Sequence, residues 1–405
     1  MNVQVVKTLL LATSVTVVAL AVILFPEHTL EASNSGLSMW WTIVFPSLLP
    51  FFIISELLIS IGVVRFIGIL LEPLMRPLFR VPGAGAFVLA MGIASGFPAG
   101  AKYTAHLRLN KDITAIEGER LVSFTNCSNP LFIFAAVAVG FFHNPALGVI
   151  LAAAHYTGNI LVGLVMRFHH PEVKEYKEIR RSNQSRVTQA FVALHETRIS
   201  DNRPFGKMMG DAVYSSIKTL LMVGGFIILF SVLNELIGVI GVAAFLAGIL
   251  RTALLLLQLP PELDIPLLSG LFEITLGSRL SSESTAPLLA QAMITSFILA
   301  FNGFSVQAQV ASILADTDIR FKPFFFARLL HGGFAAVLTL ILWKPIYINL
   351  LSSGAVTLPV FNRNDPLTMI ETLYFLLQQT GAWITCFFLV IFILLTVTRN
   401  RTSSS

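Results

Sequence analysis

The sequence predicts an all-α polytopic membrane protein made of two inverted repeats, each with a re-entrant helical hairpin and a broken transmembrane helix. Three observations predict it. The chain of 405 residues is 55% hydrophobic and 12% charged, and its mean hydropathy is +0.79. Several runs reach the roughly 20 apolar residues that a hydrocarbon core demands. Polar and helix-breaking residues interrupt these runs at related places in the two halves, and basic residues gather in the segments between runs. A soluble domain does not have this composition, and the short alternating segments of a barrel are missing from the sequence.

The first run, "LLLATSVTVVALAVILFP", is long enough to span and reads as a retained helix, not a cleaved leader. Residues 1–36 hold this helix and an outer loop, 27–36, which has Glu27 and Glu31 but no Lys or Arg. A second span covers about 37–61, and Arg65, Arg76 and Arg80 return the chain to the inside. Lys102, Arg108, Lys111 and Arg120 also lie inside. The apolar piece "GAGAFVLAMGIASGFPAGAKYTAHLRL" therefore starts and ends on one face, with "GIASGFPAG" at its centre. It is too short and too interrupted to cross twice, which makes it a re-entrant hairpin.

The next span contains "SFTNCSNPLFIF", where Thr125, Asn126, Ser128, Asn129 and Pro130 follow in close order. Unpaired polar groups in hydrocarbon cost several kcal/mol each. A break here is tolerable where it lines a cavity, and Pro130 suits the first position of a new half-helix. The chain turns at "HNP" and returns over 147–168, closing a first repeat at 37–168. A basic cytoplasmic loop occupies 169–212, with Lys174, Lys177, Arg180, Arg181, Arg186, Arg198, Arg203 and Lys207. The second repeat, 213–343, opens with a span to about 236 and an apolar piece, 237–259, placed along the outer interface; the alternative is that this piece spans, which would invert everything after it. "IPLLSGLFEITLGSRL" then forms the second hairpin, and helices at 288–314 and 323–343 follow. Residues 344–405 carry a last transmembrane helix, 374–398, and a tail, so both termini are cytoplasmic.

The halves match in order. Gly92 in "VLAMGIASG" pairs with Gly270 in "PLLSGLFEI", Ser123 with Ser296, Asn129 with Asn302, and His155 with His331. The opposite charge sense of the two halves makes the repeat inverted. Half-helix N-termini suit a carboxylate or phosphate, and exposed carbonyls suit a cation. The candidate substrate or ion ligands are Asn126, Ser128, Asn129, Asn302, Ser305, Gln307 and Gln309. Interhelical hydrogen bonding is the plain alternative for each. Ser95, Gly96, Pro98 and Gly100 shape the first hairpin tip. Glu273, with Thr275, holds a proton or a sodium ion, or else caps the hairpin. Lys102 reads as a snorkelling lysine, Glu56 as interfacial, and His155 and His331 as packed histidines.

No metal cluster, cofactor motif or phosphate loop is present: "GIASG" is not GxSxG and "HETRI" is not HExxH. An enzyme is not expected. The net charge of +5 does not imply nucleic acid, because the basic residues lie mostly in loops. Cys127 and Cys386 each sit in an apolar run and suggest no disulfide framework.

The order of hairpin, "SFTNCSNP" break, basic middle loop, second hairpin and "FNGFSVQAQV" resembles the nucleoside-recognition, or Gate, domain family, which is similar in fold to concentrative nucleoside transporters. "GLSMWWTIVFPSLLPFF", "LEPLMRP", "FRVPG", "LFEITLGS" and "DIRFKPFF" resemble its YlbJ type of sporulation integral membrane proteins, over about 37–343. The resemblance implies two Gate-type repeats forming a secondary-type transporter in the bacterial cell membrane, around the forespore. It also implies transport of a small anionic or aromatic solute, dipicolinic acid; the choice of coupling ion, H+ or Na+ at Glu273, is left open. A nucleoside transporter and a non-transporting scaffold are the alternatives, and homo-oligomer formation is left open.

Overall fold

The computed structural model describes residues 3–170 and 185–351, and all the regular elements among them are helical. Five helices are long and apolar enough to cross a bilayer, or seven if each bent pair counts as one span. Helix α1 (Val3–Leu24) is one of these and exposes apolar side chains along its length, including Leu10, Leu11 and Leu24. The expected final helix at 374–398 and part of the expected basic loop, 171–184, lie outside the described residues.

Residues 27–36, expected as an outer loop, are helical instead. Helix α2 (Pro26–Met39) starts with proline in its first turn and passes through a π-helical turn, Trp40–Val44, into α3 (Phe45–Ile61). Proline fixes a helical φ at that first position and gives up only an N–H that the helix would leave unpaired. Packing explains why so polar a stretch coils. Gly36 sits so close to α10 (Phe205–Val239) that an added Cβ would come within 2.9 Å of the Ser231 hydroxyl. Trp40 donates to the Leu220 carbonyl at 2.9 Å. The path bends by 54° around Pro46 and Pro50, whose missing N–H groups weaken the helical ladder.

Gly62, at φ +95°, ends α3 and starts α4 (Val63–Phe79). The chain then turns by 85° into α5 (Ala84–Ser95). Helix α6 (Ala99–Leu109) completes the first hairpin, as the sequence predicted. Thr114 and Glu117 form a capping box that fixes the start of α7 (Ala115–Thr125). After the break a π-helical stretch, Phe132–Phe141, leads to α8 (Pro145–Met166), whose first turn is capped by Asn144.

The expected basic loop is helical in part. Helix α9 (Arg186–Ser200) lies against α4, with Phe66 and Phe191 edge-on at 5.0 Å, and α10 already begins at Phe205. Helix α11 (Val242–Leu256) has 15 residues. At 1.5 Å per residue it reaches about 22 Å, short of a hydrocarbon core of roughly 30 Å.

The second hairpin comprises α12 (Asp264–Phe272) and α13 (Ile274–Glu283). Helix α14 (Leu288–Phe301) ends at Asn302, and α15 (Gly303–Leu314) resumes from there. Helix α16 (Phe321–Leu342) follows and packs along both α14 and α8. Each half thus has the same order: hairpin, broken helix, long helix.

Candidate functional site

Four unwound residues, Asn126–Asn129, separate α7 from its continuation. Neighbouring elements satisfy the carbonyls that the break would otherwise orphan. The Arg328 guanidinium of α16 donates to the Asn126 carbonyl at 2.8 Å and to the Ser123 carbonyl, and also meets Asn159 Oδ1 at 3.2 Å. Asn159 in turn donates to the Phe124 carbonyl. Ser128 is held from both sides by α8. Its N–H donates to His155 Nε2 at 3.1 Å, and its carbonyl accepts from the Tyr156 hydroxyl at 3.0 Å.

Asn129 closes the break. Its side-chain oxygen accepts the Phe132 N–H at 2.7 Å, and its amide donates to the Ser95 carbonyl at 3.1 Å. The hairpin can come this close because glycine faces the break. A Cβ on Gly92 or Gly100 would lie 1.9 or 2.3 Å from the Thr125 carbonyl oxygen. Gly96 takes φ +80° at the tip.

The second hairpin tip is built around Glu273. Its carboxylate accepts the Leu276 N–H at 2.8 Å and so caps α13, while the residue is 4% exposed. Asn302 adopts φ +79°. Oriented to satisfy its amide, it donates to the Leu299 and Ala300 carbonyls at 3.2 and 2.9 Å. Gln307 donates to the Phe301 carbonyl at 3.1 Å.

Both hairpin tips, the first break and α15 border one cavity of about 670 Å³. Of the residues singled out in the sequence, Ser95, Gly96, Ser128, Asn129, Glu273, Thr275, Ser305 and Gln309 line it. Asn126, Asn302 and Gln307 do not; Asn302 and Gln307 turn back on their own broken helix, and Asn126 gives its carbonyl to Arg328. The hydroxyls of Ser95, Ser128 and Ser305 are buried and have no hydrogen-bond partner among the described residues. Phe97, Leu131, Phe132 and Phe141 form much of the apolar wall. Among the described residues Glu273 is the one ionisable side chain in the lining.

Sequence reasoning missed two contributors. Thr42, Ile43, Val44, Pro46 and Leu48, around the π-helical turn, line the cavity although they read as part of an ordinary span. Arg328 was also missed; its signal is an arginine inside "FFFARLLHGGF". The packed reading of the histidines agrees with the structure. Their rings are 4.8 Å apart, and His331 Nε2 donates to the His155 carbonyl at 2.8 Å. Lys102 and Glu56 are each other's partners. They form an ion pair at 2.7 Å with side chains only 14% and 18% exposed.

Residues 41–160 match the Gate family, described as nucleoside recognition. Among solved structures the chain is similar to CNTnw in an inward-facing substrate-bound state. That match has 14% identity and a TM-score of 0.40, and covers 82% of this chain and 85% of that one. A CNTnw double variant in an outward-facing state gives 13% identity and a TM-score of 0.41, covering 83% and 85%. The sporulation integral membrane protein YlbJ of Bacillus subtilis (strain 168) is similar over 388 residues, 95% of each chain. With 56% of those residues identical, the chain belongs to the YlbJ family of sporulation integral membrane proteins.

Proposed function

We propose that this protein is a secondary-type transporter that moves a small aromatic carboxylate, dipicolinate, across a membrane surrounding the forespore. One observation carries the reading: three buried, unpartnered hydroxyls, from Ser95, Ser128 and Ser305, border a single cavity between the hairpin tips and the breaks. Such groups each cost free energy until something bonds them, so they are poised for a ligand. The aromatic wall suits the faces of a flat ring. Glu273 is the one carboxyl in the lining among the described residues. A dicarboxylate therefore enters together with a proton or a cation at Glu273, which makes that residue the coupling site.

A nucleoside is the second reading. The Gate match supports it, and so does a lining without lysine or arginine, which suits an uncharged solute. Uptake by the purified protein in liposomes tests both. Labelled dipicolinate is the substrate, nucleosides are competitors, and pH and sodium are varied. Saturable dipicolinate uptake that nucleosides leave unchanged supports the first reading. Nucleoside uptake supports the second, and uptake of neither solute overturns transport in favour of a scaffold.

A further inference from the structure

The break in α7 is held by a buried arginine with no carboxylate partner among the described residues. Arg328 is 0% exposed. Among the described residues it meets two backbone carbonyls, the Asn159 side-chain oxygen, His331 Nδ1 at 3.0 Å, and the face of the Phe324 ring, 5.6 Å from the guanidinium carbon to the ring centroid. Nε2 of His331 donates to the His155 carbonyl, so Nδ1 accepts from Arg328 and the ring is neutral. Among the described residues no carboxylate lies within ion-pair distance of Arg328, and its Nε has no partner. A buried cation normally carries a counter-ion, because desolvation leaves an unpaired charge costly.

The position of this charge is informative. Arg328 bonds the carbonyl of Asn126, and two residues further on Ser128 lines the cavity with its unpartnered hydroxyl. Glu273 lines the same cavity from the second hairpin. The cavity therefore lies between a fixed cation behind the first break and a carboxylate on the opposite tip. A hydrogen bond to a guanidinium also polarises the peptide unit that accepts it, here Asn126–Cys127, which immediately precedes Ser128.

We propose that Arg328 is a positioning residue that determines specificity. It fixes the shape of the break and, with its charge uncompensated, biases the Ser128–Asn129 side of the cavity toward an anionic solute. The assignment deepens the proposed transport function and rests on it. Arg328 does not touch the solute; it acts through the peptide units of the break.

Binding of two nearly isosteric probes, pyridine-2,6-dicarboxylate and uncharged pyridine-2,6-dicarboxamide, to the purified full-length protein tests it. The wild type should bind the dicarboxylate about tenfold more tightly or better. Arg328→Gln should bring the two affinities to within about threefold. Asn159→Asp places a carboxylate against the guanidinium, and should reduce the preference with Arg328 still in place. This variant also keeps the proposal testable where Arg328→Gln fails to fold. An unchanged preference in Asn159→Asp, or equal losses for both probes in Arg328→Gln, would overturn the role of Arg328 and leave transport standing. A wild type that binds neither probe would overturn the transport reading and this assignment together.

Discussion

Ser128 has its backbone clamped and its hydroxyl unused. His155 and Tyr156 fix the N–H and the carbonyl, while Oγ is buried with no partner among the described residues. A side chain held this way contributes to binding without contributing to folding. Ser128→Ala should therefore leave thermal unfolding unchanged and weaken solute binding by about 0.5–1.5 kcal/mol, the net worth of one hydrogen bond. Isothermal titration beside a melting curve measures both. Glu273 calls for a different substitution, because its carboxylate also caps α13. Glu273→Gln keeps an acceptor for the Leu276 N–H and removes the charge. The variant should fold normally and transport without dependence on pH or sodium; dependence equal to the wild type would refute a coupling role.

The hairpins depend on close backbone approach, and glycine is what allows it. An alanine at Gly92 would drive its Cβ to 1.9 Å from the Thr125 carbonyl oxygen, and one at Gly277 would come within 2.1 Å of the Gly270 Cα. Backbone cannot yield as a flexible side chain can, so each substitution should cost roughly 1–3 kcal/mol or more. Gly225 in α10 has nothing within 4 Å of an added Cβ, and Gly225→Ala should be neutral or slightly stabilising. Thermal unfolding of the three variants separates tip packing from helix propensity.

The same scale shows why some elements were legible in the sequence and others were not. The breaks were legible because Asn-Pro at 129–130 and Asn-Gly at 302–303 interrupt apolar runs long enough to span. Helix α2 was not, since "EHTLEASNSG" has loop composition and only its packing on α10 makes it coil. Helix α9 was hidden by its charges, although Phe191 docks on α4. At the site, position along the chain identified which polar residues lie near the breaks but not which way each faces. Asn129 and Asn302 occupy matching places in the sequence, yet Asn129 lines the cavity and Asn302 turns inward. Arg328 was visible as a charge, but its partners are backbone carbonyls more than 200 positions away in the chain, and a sequence does not display those.

Across the whole molecule, two ion-pair clusters tie the first half to the turn between α15 and α16. Arg108 grips Asp318 with two bonds, at 2.6 and 2.7 Å. Glu119 accepts from Arg320 at 2.5 and 2.9 Å and lies 2.7 Å from His169. The clusters differ in burial, and burial decides how much each holds. Asp318 is 59% exposed, so solvent screens its pair, whereas the Glu119 side chain is 1% exposed. Removing the Arg320 side chain takes the guanidinium from a buried carboxylate and leaves it, among the described residues, only His169 and the backbone N–H of residue 320; removing the Asp318 charge leaves Arg108 partly in water. Arg320→Ala should therefore lower the melting temperature more than Asp318→Asn does, and Glu119→Gln should restore part of the loss in the double variant.

The Asp318 pair also has a defined pH signature. The Arg108 guanidinium holds the Asp318 carboxyl below the usual carboxylate range. A depressed folded-state pKa contributes stability above the unfolded value of about 4, and that contribution is lost as pH falls through the folded value. Melting temperatures of the wild type and Asp318→Asn should thus differ at pH 7 and converge as the solution is acidified below about pH 4. A gap that persists there would mean that the asparagine disturbs the turn for reasons other than charge.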